Sequence, residues 1–458
     1  MSVSIPKIRI ILLITLCWQF ALSQSLLAEQ TAGPEKPLTL QEAINTGVVK
    51  NPKITVVRSR VDASEARVSQ ARSGFFPRVD ISESFNRTNN PMWAFGTKLN
   101  QEVISQADFA PARLNDPETI NNFVTTLSVT LPVYDRGQIR SGLTQAKLGH
   151  EANFELEDRI RQQVIVDVVV FYTGVLLAQE QLKVVNQTLK TARAHYDMVR
   201  SRFQGGLVVK SDMLRAEVRI AELEQERLQA QSQVEVARAA LNAAMGVEID
   251  SSFHLVTALE RVMEAPGSLE TWINRSLENR PDLQQMQFQE MIAEEQVTKA
   301  KTAHLPGLYL SGTYEINSED FSETANNYTV GAVMSLNLFS GLGLQSKVHE
   351  AMAMLRQTQA MARQLELGVR VETRQAFFMA QSAHKRIGVA RAAVAQAEEG
   401  LRIVRNRYES GLFTIVNLLD AEVALQQAST NYFRSLHDFK VAMARLNLAA
   451  GIINEDFH

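Results

Sequence analysis

The chain has 458 residues, of which 45% are hydrophobic, and its 47 Lys and Arg stand against 50 Asp and Glu for a formal charge of −3. That balance gives no reason to expect nucleic acid as a partner. The single cysteine, Cys17, sits in the N-terminal apolar run, so the rest of the chain has neither disulfides nor cysteine metal ligands to offer.

Lys7 and Arg9, an apolar run from Ile10 to Leu22, and then Ser23, Gln24 and Ser25 read as a secretory signal peptide within residues 1–28. Cleavage after Ser23 and cleavage after Ala28 both fit. Leu16 before Cys17, with the apolar run continuing past it, argues against lipid attachment. Removing residues 1–28 leaves 45 basic against 50 acidic residues, a charge of −5. Beyond this segment no stretch is read as the ~18 to 20 apolar residues of a membrane-spanning helix, so any span is expected to be β.

In chain order, helical patterning over 52–73 is followed by an alternating segment at about 79–87, where Val79, Ile81 and Phe85 form an apolar row broken by Glu83. A loop over 86–122 holds Pro91, Trp93, Pro111 and Pro117. A second strand over about 124–133 alternates Leu127, Val129, Leu131 and Val133 with Thr126, Ser128 and Thr130. Long helices are predicted over about 138–202 and 211–246, with apolar steps at Ile160, Val164, Val168, Tyr172 and Val175. The series then recurs: a helix at 282–303, strands at about 308–317 and 328–338, and long helices at about 343–407 and 415–450. The loop between the second pair of strands, 318–326, is short and acidic at Glu319, Asp320 and Glu323.

The recurrence is a duplication. Pro52 and Pro77 answer to Pro281 and Pro306 at a displacement of 229, while Leu131 answers to Leu336 at 205, so the first copy carries 24 extra residues between these landmarks. From there the register of 205 holds. Arg200, Arg202 and Phe203 match Arg405, Arg407 and Tyr408; Gly206 and Leu207 match Gly411 and Leu412; Gly246 matches Gly451. The chain divides into a first repeat over 29–265 and a second over 266–458.

All twelve prolines lie at or before Pro306, and none falls between Pro132 and Pro266. Interior prolines cost a helix ~3 kcal/mol or more, so the proline-free stretches, rich in Ala, Gln, Glu, Arg and Leu, are the helical ones. At ~1.5 Å per residue, each longer helix makes a rod of about 100 Å. Each rod ends in a glycine turn, Gln204 to Leu207 or Glu409 to Leu412, and returns as a shorter helix to Gly246 or Gly451.

One apolar and one polar face over about ten residues is the pattern of a transmembrane barrel strand, although a sandwich strand facing a core would read alike. Single-chain barrels start at about eight strands, and lipid tolerates no open sheet edge. Four strands must therefore be pooled among copies, and a ring of three supplies twelve.

With signal, duplication and hairpin words in hand, the sequence resembles the TolC-like outer membrane efflux proteins over essentially all of its mature length. The closest word runs from Tyr408 through Gly411, Thr414, Asn417 and Asp420 to Ala421, similar to the family's hairpin motif with its Thr-Ile-Val-Asp-x-Leu-Asp-Ala core. The resemblance implies an α+β membrane protein: a homotrimer whose twelve-stranded barrel continues into a periplasmic α-barrel of coiled-coil hairpins, closed at its far end. It implies an outer-membrane location in a Gram-negative bacterium, an inner-membrane transporter as partner, and a periplasmic adaptor docked at the tips. Gly206, Leu207, Gly411 and Leu412 are the matching adaptor contacts. The family's two acidic constriction rings fall on Asn417 and Asp420, leaving one ring uncharged; a ring of three carboxylates in a narrow passage favours cations. Of the closed-state lock, Tyr408 and Asp212 match, while Phe413 stands in the arginine position, so apolar packing is expected to hold the closed state.

Simpler roles stand beside these: Asp212 and Asn417 lie where helix starts are capped, and Gly206 and Gly411 where turns need glycine. The residues carry no His-x-x-x-His pair, Walker loop or nucleophile elbow, so no enzyme is expected, and neither cofactor nor metal is assigned. The alternative is a periplasmic adaptor or structural coiled-coil protein without a pore, which would carry a single hairpin and a small β-domain instead of two hairpins and four strands. Nothing in the sequence identifies a cargo.

Overall fold

A computed structural model describes residues 36–260, 264–454 and 457; the signal segment, with both cleavage positions and Cys17, lies outside the described residues. The elements follow as β1 (Lys36–Leu38), α1 (Leu40–Lys50), α2 (Pro52–Ser73), β2 (Arg78–Thr88), α3 (Pro91–Asn100), α4 (Pro111–Asn115) and β3 (Ile120–Tyr134). The rod α5 (Gln138–Gln204) and its return helix α6 (Lys210–Met245) come next. They are followed by β4 (Phe253–Leu255), α7 (Leu269–Asn279), α8 (Pro281–Thr302), β5 (Gly307–Ser318), β6 (Ala325–Ser335), the rod α9 (Gly343–Glu409) and its return helix α10 (Ile415–Ala449).

Both rods have 67 residues, and α9 begins and ends 205 residues after α5. Their shared length follows from where the chain can turn. Each rod starts just after two consecutive left-handed residues, Arg136 and Gly137 or Gly341 and Leu342, and the Asp135 carboxylate accepts from the Gly137 amide at 3.1 Å at the first start. Each rod stops at a glycine turn with two reversed hydrogen bonds. Leu207 N donates to Arg202 O at 2.9 Å and Gly206 N to Phe203 O at 3.0 Å; Leu412 N donates to Arg407 O at 2.9 Å and Gly411 N to Tyr408 O at 3.0 Å. These are Schellman closures, which need a left-handed residue at the position held by Gly206 (φ 72°) and Gly411 (φ 77°). An added Cβ at either would meet open space, so backbone conformation alone calls for glycine there.

The sheet order is β2-β3-β5-β6, antiparallel throughout. Its register collects the apolar rows on one face: Val79, Ile81 and Phe85 stand opposite Val129, Leu127 and Phe123. Leu127 and Leu131 face Tyr314 and Leu310, which face Tyr328 and Ala332. Asp80, Ser82, Ser128, Thr126, Thr313, Glu315 and Thr329 make the other face. The apolar face packs on no core. Ile81 is 74% exposed, Tyr328 77% and Val330 78%, which removes the sandwich reading. β2 and β6 are the open edges.

The main core lies around the middle of the rods, where α1, α5, α6, α9 and α10 meet the two-stranded parallel pair β1 and β4. Tyr172 ties this region together by donating from its buried hydroxyl to the Leu38 carbonyl at 2.8 Å. Gly246 and Gly451, both left-handed, end the return helices against the chain just before Pro52 and Pro281. An added Cβ at Gly451 would stand 2.6 Å from the Asn279 oxygen.

Several readings need correction. Rod α5 does contain a window long and apolar enough to cross a membrane by length and composition. Half of it is buried, and Val164, Ile165, Val168, Val169, Tyr172 and Val175 fill the core. A helix wrapped on several sides becomes apolar around most of its circumference, so it is packing, rather than composition, that argues against a helical span here. The loop over 86–122 holds the helices α3 and α4, started by Pro91 and Pro111 at their first positions. The last strand lies at Ala325–Ser335, about three residues earlier than 328–338. Helices α1 and α7 precede the proline-started helices α2 and α8.

Candidate channel constriction at the hairpin tips

The two glycine turns bring the ends of both hairpins together. Val199 from α5 and Leu401, Tyr408, Ile415 and Leu418 from the second hairpin form a buried apolar cluster, with Val208, Met213 and Phe413 packed against it. Phe413 thus joins an apolar tip, and the Arg407 guanidinium lies over its ring at 5.3 Å.

Tyr408 is buried, and its hydroxyl has no hydrogen-bond partner. Burial pushes the phenol up, with Arg202 opposing and Asp212 adding to the shift. Tyr408 therefore acts as a neutral ring under Arg202, whose guanidinium carbon lies 5.2 Å from the ring centre. Asp212, in the first turn of α6, is close enough to be felt electrostatically but is not bonded to the tyrosine. The cap of α6 is Val209, without a side-chain bond, so Asp212 does not cap that helix. Asn417 does: its Oδ1 accepts from Thr414 N at 3.1 Å and Thr414 Oγ1 at 2.8 Å, within a capping box that starts α10. Asp420, one turn further on, is exposed. Leu207 and Leu412 project from the turns, 77% and 74% exposed.

Three further contacts fasten the hairpins at this end. Arg202 donates across from α5 to the last carbonyls of α9, Nη1 to Tyr408 O at 3.1 Å and Nη2 to Glu409 O at 2.8 Å, satisfying groups that a helix end leaves unpaired. Higher up, the His195 imidazole and the Glu422 carboxylate meet in a buried contact between α5 and α10. Beside it, Arg219 of α6 donates to Gln426 Oε1 at 2.7 Å, and Gln426 donates to Glu226 at 2.6 Å. Arginine in a helix's last turn is the signal that could have found the first contact. The second joins residues more than 200 positions apart, and periodicity carries no trace of it. Among the described residues no group of three His, Cys, Asp or Glu gathers as metal ligands.

A four-stranded sheet with an unpartnered apolar face, set on two helical hairpins of about 100 Å, defines a class: channel proteins with a membrane sheet and a long helical tube. A family model described as outer membrane efflux protein matches residues 44–247 and 272–452, and the chain belongs to that family. It is similar to the alkaline protease secretion protein AprF of Pseudomonas aeruginosa, 25% identical over 435 residues covering 91% of this chain and 85% of that one. The outer membrane protein TolC of Vibrio cholerae is 23% identical over 427 residues, 91% of each chain. Among solved structures, the CmeC outer membrane channel of Campylobacter jejuni superposes with a TM-score of 0.77 at 18% identity, over 90% of this chain and 85% of that one. The protein is accordingly an outer-membrane exit channel of the efflux and type I secretion kind, with a periplasmic extension.

Proposed function

We propose that three copies close the channel, β6 of each pairing with β2 of the next. The observation carrying this is the sheet itself, whose exposed apolar face and two unpaired edges are intolerable in lipid unless the edges are paired. Four strands alternating in direction leave β6 antiparallel to β2, so successive copies continue the pattern into twelve strands, with the polar face lining the lumen. The hairpins form a twelve-helix tube, and their apolar tips form its closed end.

At that end Asp420 forms the charged ring that selects cations, with Asn417 contributing an uncharged one. Tyr408 and Asp212 belong to the closed-state packing without a direct bond between them. A periplasmic adaptor docks on the turns at Gly206, Leu207, Gly411 and Leu412, where Leu207 and Leu412 supply exposed apolar contacts, and an inner-membrane transporter provides the energy. Single-channel conductance in a planar bilayer tests this reading. The expected result is a cation-selective pore whose selectivity falls in Asp420→Ala. Unchanged selectivity would remove the Asp420 ring, and folded particles without conductance would remove the pore.

A further inference from the structure

We propose that the buried contact of His195 with Glu422 is a proton-operated latch between the two hairpins of a chain: it holds α10 to α5 while the pair shares one proton, and a second proton releases it and opens the tube. This deepens the closed tube proposed above and rests on it. The pair sits in the seam itself. His195 is 5% exposed on α5 and Glu422 3% on α10, and the imidazole Nδ1 meets Glu422 Oε1 directly. One helical turn toward the tip, Val199 and Leu418 belong to the apolar cluster. One turn the other way, Arg219 of α6 donates to Gln426. Neither oxygen of Glu422 has a further hydrogen-bond partner, so parting the hairpins at this height means separating the carboxyl from the ring alone.

Packing alone does not require these residues. The internal displacement of 205 places Gly400 where His195 stands and the exposed Glu217 where Glu422 stands. Buried ionisable pairs are commonly matched in stability by apolar side chains of similar volume, whereas histidine is the side chain whose charge changes in the physiological range. Response to protons is what the pair adds.

With one proton between them, ring and carboxyl are neutral together, whether as imidazolium with carboxylate or as imidazole with carboxylic acid. A second proton, taken from solvent, leaves imidazolium against carboxylic acid and one net positive charge in the seam. The ions on the surrounding elements stand beside opposite charges of their own. On α5, Lys183 lies 3.4 Å from Glu180, and Arg202 below is taken up by the α9 carbonyls. On α6, Arg219 lies 3.3 Å from Glu222 and 3.6 Å from Glu226. From α9, Arg405 and Glu398 enter the cavity of about 390 Å³ that Glu422 lines, and on α10 Asp420 is exposed. Among the described residues Glu422 is the sole acid within ion-pair reach of His195. The added charge is thus uncompensated where burial makes it costly, and water reaches it when α10 parts from α5. Ile415, Leu418 and Asp420 ride on the first turns of α10, so the same parting carries the constriction outward.

The test uses the full chain purified in detergent, with spin labels on Thr191→Cys and Ser429→Cys, which stand on α5 and α10 at the same cavity. Dilution with unlabelled protein keeps the measured distance within one chain. Distance, particle mass and opening in planar bilayers are compared at about pH 7.5 and about pH 5, which bracket the histidine range. Acid is expected to widen the distance and to raise the open probability about tenfold. His195→Gln with Glu422→Gln keeps a hydrogen bond but holds no titrating proton, and should be insensitive; His195→Leu with Glu422→Leu is the second such variant. His195→Gln alone leaves a carboxyl that acid neutralises, and should reverse the sign, opening more at the higher pH. Asp420→Ala should keep the acid response. A distance that acid leaves unchanged in three-copy particles would overturn the latch and leave the tube intact. An acid response surviving in both double variants would overturn its assignment to this pair. Widening in particles that conduct at neither pH would overturn the pore, while the proton-driven parting of the hairpins stands.

Discussion

Gly451→Ala isolates how tightly the return helix of the second hairpin is seated. Gly451 is left-handed at φ 71°, a conformation that costs an alanine about 1 to 2 kcal/mol. Its new Cβ would also stand 2.6 Å from the Asn279 oxygen and 2.8 Å from the Arg280 Cα and nitrogen. Those are backbone atoms at the junction where α7 ends and α8 begins, so relief requires moving a helix and costs about another 1 to 3 kcal/mol. Gly206→Ala, at φ 72° with open space around the added carbon, bears only the conformational part. Urea unfolding followed by the helical circular-dichroism signal should lower stability by about 2 to 5 kcal/mol for Gly451→Ala, against about 1 to 2 for Gly206→Ala. Equal losses would refute the claim that close backbone contact, beyond the turn conformation, demands glycine at 451.

Glu422→Ala leaves the buried His195 imidazole without the carboxylate it faces and should cost about 1 to 3 kcal/mol by the same unfolding measurement, whereas Glu422→Leu with His195→Leu should recover most of it. Tyr408→Phe removes a buried hydroxyl that has no partner, so closed-channel stability in bilayers should hold or improve; frequent opening would instead reveal a bond from that hydroxyl in the assembled channel. Burial pushes Asp282 up, but its hydrogen bonds and attraction to Arg280 outweigh that and hold it below its usual value. A depressed carboxylate stabilises the fold above its unfolded pKa and loses that contribution as pH falls through the folded one. The advantage of wild type over Asp282→Asn should therefore be full at neutral pH and decline below about pH 4, and an advantage that changed between neutral pH and pH 5 would contradict this.

The rods and the sheet were legible because their patterns are enforced at every residue. An interior proline would break the rods, and a strand with lipid on one face must alternate, as Val330, Ala332 and Met334 do. The register that gathers these rows onto one face is set by the pairing of strands, yet period two alone foretold which residues would share it. Short elements left no such trace. The strand pair Lys36–Leu38 and Phe253–Leu255 is too brief for a period to show, and α1 and α7 span only eleven residues each. At the tips, local chemistry was readable: glycine at the turns, and Asn417 near a helix start. The grip of Arg202 and the pairing of His195 with Glu422 were not, because they arise where two hairpins meet in space.

The equal count of 67 residues in both rods couples their histories. One residue inserted into a single rod would lower its tip by about 1.5 Å and swing it through about 100°, carrying Arg202 off the Tyr408 and Glu409 carbonyls. A change of length survives only when both rods, and the return helices beside them, change together in steps that restore the same facing residues. The reach of this protein is thus set as one quantity by two rods of the same length.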